Sequence, residues 1–407
     1  MSRQKPLYTK KALNQWTDEV AQAFPHLSQP QAAGLATWSF AMVLARSCAL
    51  TAVAFFLAKL LRHNYHAVRQ RLREFYQEAD AKKGEQRRDF EVTACFAPLL
   101  RWVLRDWQGR QLALALDASS LGSLFVVLCI SVVYRGGAIP VAWAILPAAV
   151  KGSWKEPWLK LLAQFHGLVP DGWTVVALAD RGLYAKWLFE GICKLGWHPL
   201  LRINQGGKFR PQGWVKFVPL TSLVSHVGAR WRQRGTAFAT TAARLDCTLL
   251  GFWGEGHEEA WLVLTDLAPE MSDASWYGLR SWIEQFFKDC KRGGWQWQKT
   301  RMKDPARAAR LWLALAVATL WLVRVGGEDE VADWGPLPEL QVVAGYCRPQ
   351  AHRWRLVSVF ARGWVVIVVA LLHHSRLPRG CLLPEPWPVV PQLAGPDQGQ
   401  AEAKRVA

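Results

Sequence analysis

The chain has 407 residues and a formal net charge of +18, because 50 Lys and Arg residues outnumber 32 Asp and Glu residues. This excess predicts attraction to a polyanion, which is usually nucleic acid, although an anionic membrane surface would give the same count. A hydrophobic content of 51% and 24 Trp residues argue against a disordered basic tail and predict a well-packed globular protein.

Three further features predict a cytoplasmic protein. The basic residues at the N-terminus are not followed by an apolar segment, so they do not form a signal peptide. The uncharged runs at 47–58 and 311–323 are too short to span a bilayer, which predicts buried helices and no membrane partner. Eight cysteines without paired Cys or His spacing suggest neither a zinc site nor a disulfide framework, and predict buried thiols in a reducing compartment.

The sequence pattern of residues 1–108 predicts a helical region that binds DNA. Arg69, Arg71 and Arg73 lie within about one turn of its third predicted helix. This helix could be a recognition helix or a packing helix with a solvated face, and both interpretations stay open. A polar segment at 81–89 predicts a linker. The predicted helices are residues 11–24, 31–61 with a break near Ser47 and Thr51, 65–78 and 90–107.

From residue 111 the pattern changes to strands and helices. The predicted strands are 112–117, 125–134, 139–146, 174–179 and 198–203, and the predicted helices are 155–168 and 183–195. Three strands, a helix, a strand, a helix and a strand form the element order of the ribonuclease-H-like fold, in which a mixed sheet carries acids at strand ends. Because Asp117 and Asp180 end two of these strands, we predict an α/β fold of this type.

This fold requires one more helix that carries an acidic residue. The sequence predicts this helix after an all-β insertion. Residues 204–267 are rich in β-forming residues and turn glycines, whereas residues 277–291 have helical spacing. On a regular helix Tyr277, Arg280, Glu284 and Lys291 would share one polar stripe beside an apolar stripe. The predicted domains after residue 108 are 109–325 (catalytic, with the insertion at about 204–267), 326–380 (helical) and 381–407 (disordered tail). Helices are predicted at 306–325, within the catalytic domain, and at 353–373.

Asp117, Asp180 and Glu284 are the predicted catalytic residues and metal ligands, because this fold brings these three positions together. Carboxylates a few ångström apart raise one another's pKa unless a cation neutralises them. Mg²⁺ prefers such oxygen ligands, Mn²⁺ is a possible substitute, and no His or Cys set competes for a softer metal. Two ions about 3.5–4 Å apart would support phosphodiester hydrolysis and strand transfer.

Basic side chains near Glu284 predict phosphate contacts, with a solvated loop as the alternative. Residues 288–310 contain eight Lys or Arg against two Asp, interleaved with Trp295 and Trp297. Arg280 would bind a phosphate through its guanidinium fork, Lys291 as a point charge and Tyr277 through a hydrogen bond. The other predicted DNA-binding residues are Arg181, Lys288, Arg292, Lys299 and Arg301.

Two acid motifs occur together with the four-residue stripe. The segments are Leu116-Asp117-Ala-Ser, Ala179-Asp180-Arg181-Gly-Leu-Tyr184 and the stripe, whose spacing is Tyr-(2)-Arg-(3)-Glu-(6)-Lys. In these motifs, over roughly residues 112–323, the chain resembles the DDE insertion-sequence transposases of the type-four group, which are bacterial cut-and-paste transposases. The N-terminal region and the tail contain no motif of that group.

The resemblance implies a nucleoid-associated bacterial transposase that cleaves insertion-sequence ends and joins them to target DNA. It implies a homodimer that holds double-stranded terminal inverted repeats and cleaves in trans. Relatives form a DNA hairpin and stack a flipped base on a Trp of the β insertion, for which Trp253 and Trp261 are candidates by location. The alternatives are a DNA nuclease or domesticated relative without strand transfer, and a DNA-binding protein that has lost catalysis.

Overall fold

The computed structural model describes residues 5–83, 88–149, 154–335, 340–343, 345–349 and 355–392. Several sequence predictions fall partly outside these residues. Among them are 84–87 of the linker, 353–354 of the last predicted helix and 393–407 of the predicted tail.

The N-terminal region is helical, as predicted. Its helices are α1 (Lys5–Ala23), α2 (Gln29–Ala45), α3 (Leu50–Leu61), α4 (Tyr65–Tyr76) and α5 (Phe96–Arg105). The break within 31–61 is confirmed, because Arg46 ends α2 with a left-handed backbone (φ 46°) and α3 leaves at 92° to α2. Arg71 and Arg73 are exposed on α4, while Leu72 between them is buried, so both interpretations of this helix stay open.

A ten-stranded sheet lies at the centre of the described chain. Its strands are β1 (Gln111–Leu121), β2 (Phe125–Tyr134), β3 (Gly137–Pro147), β4 (Thr174–Ala179), β5 (His198–Arg202), β6 (Lys208–Pro211), β7 (Val218–Pro219), β8 (Arg230–Ala237), β9 (Leu245–Phe252) and β10 (Trp261–Thr265). Their order is β3-β2-β1-β4-β5-β10-β9-β8-β6-β7. β1 is antiparallel to β2, and β1, β4 and β5 are parallel. This mixed sheet confirms the predicted ribonuclease-H-like class.

The β-rich insertion predicted at 204–267 extends this sheet. β10 pairs antiparallel with β5, joining Val263 to Arg202, and β9 and β8 continue outward. Without β10, β5 would present an unpaired edge of backbone N–H and C=O groups. The helices of this half are α6 (Lys155–Ala163), α7 (Lys186–Cys193) and the short α8 (Leu220–Leu223).

Two long helices after the sheet pack closely, and one of them crosses a predicted domain boundary. α10 (Pro305–Trp334) continues past residue 325, where the prediction ended it, and α11 (Val359–Leu372) packs on it. A Cβ on Gly326 would lie 1.8 Å from the carbonyl oxygen of Val359. Gly326 therefore allows close packing of the two helices, whereas the prediction placed a helix end before it.

The predicted C-terminal helical region also contains a hairpin, formed by β11 (Leu340–Val343) and β12 (Tyr346–Pro349). Strands of four residues give a weak periodic signal. The hairpin is an addition to the predicted helical region 326–380, for which the sequence predicted one helix at 353–373.

The prediction of a disordered tail is wrong for residues 381–392. Leu382 is fully buried and forms a parallel bridge with Trp107. The buried Glu385 forms an ion pair with Arg355. This Pro-rich segment has no periodicity of its own, because distant parts of the chain supply its hydrogen bonds and charges.

α10 is long and apolar enough to cross a membrane, but 89% of its most apolar window is buried inside the protein. Such burial is typical of a core helix. All eight cysteines are free thiols, as predicted, and six of them are buried.

Candidate active site

The parallel strands β1 and β4 place two acids side by side. Their pairing ends with Leu116 opposite Ala179, and the next residues are Asp117 and Asp180. Neighbouring parallel strands bring such positions to the same edge of the sheet. Asp117 does not end its strand as predicted, because β1 continues to Leu121 along β2.

The segment with the third acid is not one regular helix. It consists of a 3-10 turn (Ala274–Ser281), the helix α9 (Trp282–Lys288) and a π turn (Asp289–Gly293). The angular positions assumed for a regular helix therefore do not apply. Tyr277 is buried at 4% exposure, so the prediction of one shared polar stripe is wrong for this residue.

The guanidinium of Arg280 lies among the three carboxylates. Its Nη2 lies 2.9 Å from Asp117 Oδ2 and 3.8 Å from Asp180 Oδ2, and its Nη1 lies 3.4 Å from Glu284 Oε1. Arg280 thus contacts acids here, whereas the sequence predicted a phosphate contact. The three predicted catalytic residues surround this one cationic group.

The two aspartates differ in their electrostatic surroundings. Burial raises the pKa of Asp117 above its usual value, although Arg280 and the backbone N–H of Ala118 oppose the shift. Burial also acts to raise the pKa of Asp180, but Arg280, the N–H of Arg181 and the Tyr277 hydroxyl together lower it below its usual value. The Tyr277 hydroxyl donates a hydrogen bond to Asp180 Oδ1 at 3.2 Å. Tyr277 therefore contacts an acid where the sequence predicted a phosphate contact.

The donor set has the chemistry of a site for a hard divalent cation. Three carboxylates around one guanidinium leave an excess of negative charge, which a divalent ion would neutralise. Among the described residues no three carboxylate, His or Cys side chains are arranged to ligate one ion. At this site the Arg280 guanidinium lies between the acids. The Nε atom of Arg280 is buried, and no hydrogen-bond partner for it lies among the described residues. A metal ion would therefore have to displace this guanidinium.

Lys291 lies beside the strand of the first acid. Its Nζ donates a hydrogen bond to Ser119 Oγ on β1 at 2.9 Å, which the sequence analysis did not foresee. The remaining predicted DNA-binding residues of this segment are exposed, namely Lys288, Arg292, Lys299 and Arg301. Trp295 and Trp297 are buried, so they cannot supply the aromatic surface suggested for this segment.

A cleft of about 430 Å³ opens beside Asp180, Arg280 and Glu284. Arg181 and Arg202 line it, and both bind the carboxylate of Glu259, with N–O distances of 2.6 and 2.5 Å. Sequence reasoning missed Arg202 and Glu259. The signal for Arg202 was its position at the carboxyl end of β5, the third parallel strand.

Neither of the two Trp candidates for base stacking is an exposed side chain. Trp261 is 6% exposed and packs edge-on against Tyr277 at 5.1 Å between ring centroids. Trp253 is half-buried, and its indole N–H donates to the carbonyl oxygen of His257 at 3.2 Å. These contacts favour structural roles for both rings.

Asp289 of the π turn gives a pH-dependent prediction for stability. Burial raises its pKa to about 6, although the Gln285 amide, which donates to its Oδ1 at 3.0 Å, and the nearby charges of Arg46 and Lys288 oppose the shift. Because the pKa is raised on folding, the contribution of Asp289 to stability is greatest below about pH 4 and is lost as the pH rises through about 6. Asp289→Asn should therefore stabilise the protein by up to about 3 kcal/mol at pH 7 and have little effect at pH 4.

Urea unfolding at pH 4 and pH 7 measures this effect, with the exposed Asp171→Asn as the control. The prediction is contradicted if the free energy of unfolding of Asp289→Asn differs from that of wild type by the same amount at both pH values.

A family model described as a transposase DDE domain matches residues 153–321. The matched segment covers less than half of the chain and contains Asp180 and Glu284 but not Asp117. The match supports a transposase of the DDE class that acts in DNA transposition and recombination. No curated protein matches the chain.

Proposed function

We propose that this protein is a metal-dependent transposase that cleaves DNA at insertion-sequence ends and transfers the cut strands to target DNA. The observation that carries the proposal is the contact of Asp117, Asp180 and Glu284 with one guanidinium. Two of these acids lie in the segment that matches a transposase DDE domain. The spacing of Tyr277, Arg280, Glu284 and Lys291 supports assignment to the type-four group.

Asp117, Asp180 and Glu284 would hold two divalent ions, Mg²⁺ or Mn²⁺. Bound ions of this kind activate an attacking oxygen and stabilise a leaving oxygen at a phosphodiester. Arg280, once displaced from the acids, would be free to bind a phosphate through its guanidinium fork. Tyr277 would hold Asp180 in position through its hydroxyl group.

The same proposal covers the parts of the chain around the site. Residues 1–108 would contact terminal DNA, residues 109–325 would carry the chemistry and residues 326–380 would support it. Two copies would pair the two ends of the element. Exposed basic residues near the site, including Arg181 and Lys288, would neutralise the phosphates.

An assay with two products separates this function from that of a simple nuclease. The full chain is incubated with Mg²⁺, a duplex ending in the terminal inverted repeat and a supercoiled target plasmid. We expect cut ends and, in addition, ends joined covalently to the plasmid. Cleavage without joined product would instead support a nuclease, and the absence of both products would overturn the proposal.

Lys291→Ala should weaken binding of terminal DNA and lower the slope of log K against log [salt] by about one, because one phosphate contact is lost. Fluorescence anisotropy at several salt concentrations measures both quantities. Lys160→Ala is the control, since Lys160 is exposed on α6 and does not line the cleft. Unchanged affinity and slope in Lys291→Ala would refute the phosphate contact.

A further inference from the structure

The hairpin β11–β12 is fixed to the segment that carries Glu284. The indole N–H of Trp282 on α9 donates to the carbonyl oxygen of Cys347 at 3.0 Å. A Cβ on Gly278 would lie 3.0 Å from Cγ2 of Val342, so the hairpin packs tightly on the 3-10 turn. An isolated two-stranded hairpin is marginally stable at best in water. Its position therefore depends on this contact with the candidate active site.

The opposite face of the hairpin presents an aromatic ring and a cation. Side chains alternate along a strand, so Tyr346 and Arg348 point away from the buried Cys347 between them. The Arg348 guanidinium lies 5.5 Å from the centroid of the Tyr346 ring. Tyr346 is 46% exposed, and among the described residues the other exposed aromatic side chains are Phe55 and Phe56 of α3.

A groove of about 560 Å³ lies at the junction of the hairpin and α9. Tyr346 and Arg348 of the hairpin and Glu284 and Lys288 of α9 are among the residues that line it. Tyr346 also lines the neighbouring cleft, which contains Asp180. The ring therefore lies where the cleft with the acids meets a groove with basic side chains.

We propose that Tyr346, flanked by Arg348, stacks on an unpaired base of the DNA strand that enters the acid cluster. The inference rests on the proposed function, since it assigns the path of that function's substrate. An aromatic ring beside basic side chains is the surface on which single-stranded nucleic acid binds, because each base stacks and each phosphate is neutralised. This assigns stacking to an exposed ring on the hairpin, whereas Trp261 is buried and Trp253 half-buried.

A fluorescent base tests the stacking directly. The full chain is titrated, without divalent ions so that no strand is cut, with a duplex that carries 2-aminopurine in a single-stranded overhang. Wild type should quench this fluorescence. Tyr346→Ala should lose the quenching and bind the overhang DNA about 5- to 150-fold more weakly, which corresponds to one lost stacking contact.

Tyr346→Phe is the matched variant, because it keeps the ring and removes only the hydroxyl group, and it should retain the quenching. Val343→Ala, opposite Tyr346 in the hairpin register, tests whether any change in the hairpin has the same effect, and it should also retain the quenching. A blunt duplex should bind Tyr346→Ala as it binds wild type.

The outcomes separate this inference from the proposed function. The stacking role is overturned if Tyr346→Ala quenches the fluorescence and binds DNA like wild type, or if its affinity for blunt and for overhang DNA falls equally. In both cases the transposase proposal stands. If no variant, including wild type, binds DNA, both are overturned.

Discussion

Glu284→Gln should abolish metal-dependent cleavage of terminal DNA and leave DNA binding nearly intact. The substitution keeps the shape of the side chain but removes a negative charge from the site proposed to hold divalent ions. We expect the cleavage rate to fall by about a thousandfold or more, which corresponds to at least about 4 kcal/mol of activation free energy. A nicking assay in Mg²⁺ and anisotropy with the same DNA measure the two effects.

Glu258→Gln is the matched control, since Glu258 also lines the cleft and is exposed, but forms none of the contacts with Arg280. It should cut DNA at close to the wild-type rate. If Glu284→Gln cuts as fast as this control, Glu284 is not part of the catalytic site. Asp180→Asn should behave like Glu284→Gln for the same reason.

Glu330→Gln should destabilise the protein strongly without touching the candidate site. Glu330 is fully buried and binds two guanidiniums, with distances of 2.8 Å to Arg135 Nη1 and 2.7 Å to Arg355 Nε. Without the negative charge of Glu330, the positive charges of both guanidiniums would be incompletely neutralised inside the protein. Breaking a buried pair in this way costs about 3–5 kcal/mol, which urea unfolding would measure as a lower free energy of unfolding.

Glu328→Gln on the same helix provides the comparison, because Glu328 is exposed and exposed charges contribute about 0–1 kcal/mol. Equal stability of the two variants would show that the buried cluster does not stabilise the fold. The cluster also reaches Glu385 through Arg355. Its loss should therefore loosen residues 381–392, which proteolysis would detect.

The sheet could be predicted because its signals are local. The strand ranges 125–134 and 174–179 agree with β2 and β4, since buried strands read as apolar runs between turn residues. Parallel strands then place the residues after them at one edge, which is why Asp117 and Asp180 lie near one guanidinium. Their catalytic role stays a prediction.

The orientation of side chains around Glu284 could not be predicted from a helical wheel. The sequence shows helical spacing, but the backbone changes from a 3-10 turn to an α-helix and then a π turn. Each change rotates the following side chains relative to a regular helix. Tyr277 of the 3-10 turn and Glu284 of α9 therefore do not share the face that a regular helix predicts.

The C-terminal third was predicted least well, because long-range contacts determine its structure. Local propensity predicts a helix end before Gly326, yet the close approach of α11 requires a glycine there. The buried ion pair of Glu385 and the bridge of Leu382 fix a segment whose composition predicts disorder. Such partners lie far away in sequence and leave no periodic pattern.

Manganese binding tests the central claim most directly, because it measures ligation independently of cleavage. The wild-type chain and Asp180→Asn are each titrated with Mn²⁺ in the presence of terminal DNA, and bound ions are counted by electron paramagnetic resonance. The proposal predicts about two bound ions per wild-type chain and fewer, more weakly held ions in Asp180→Asn. Equal numbers and affinities in the two proteins would contradict a metal site at Asp117, Asp180 and Glu284.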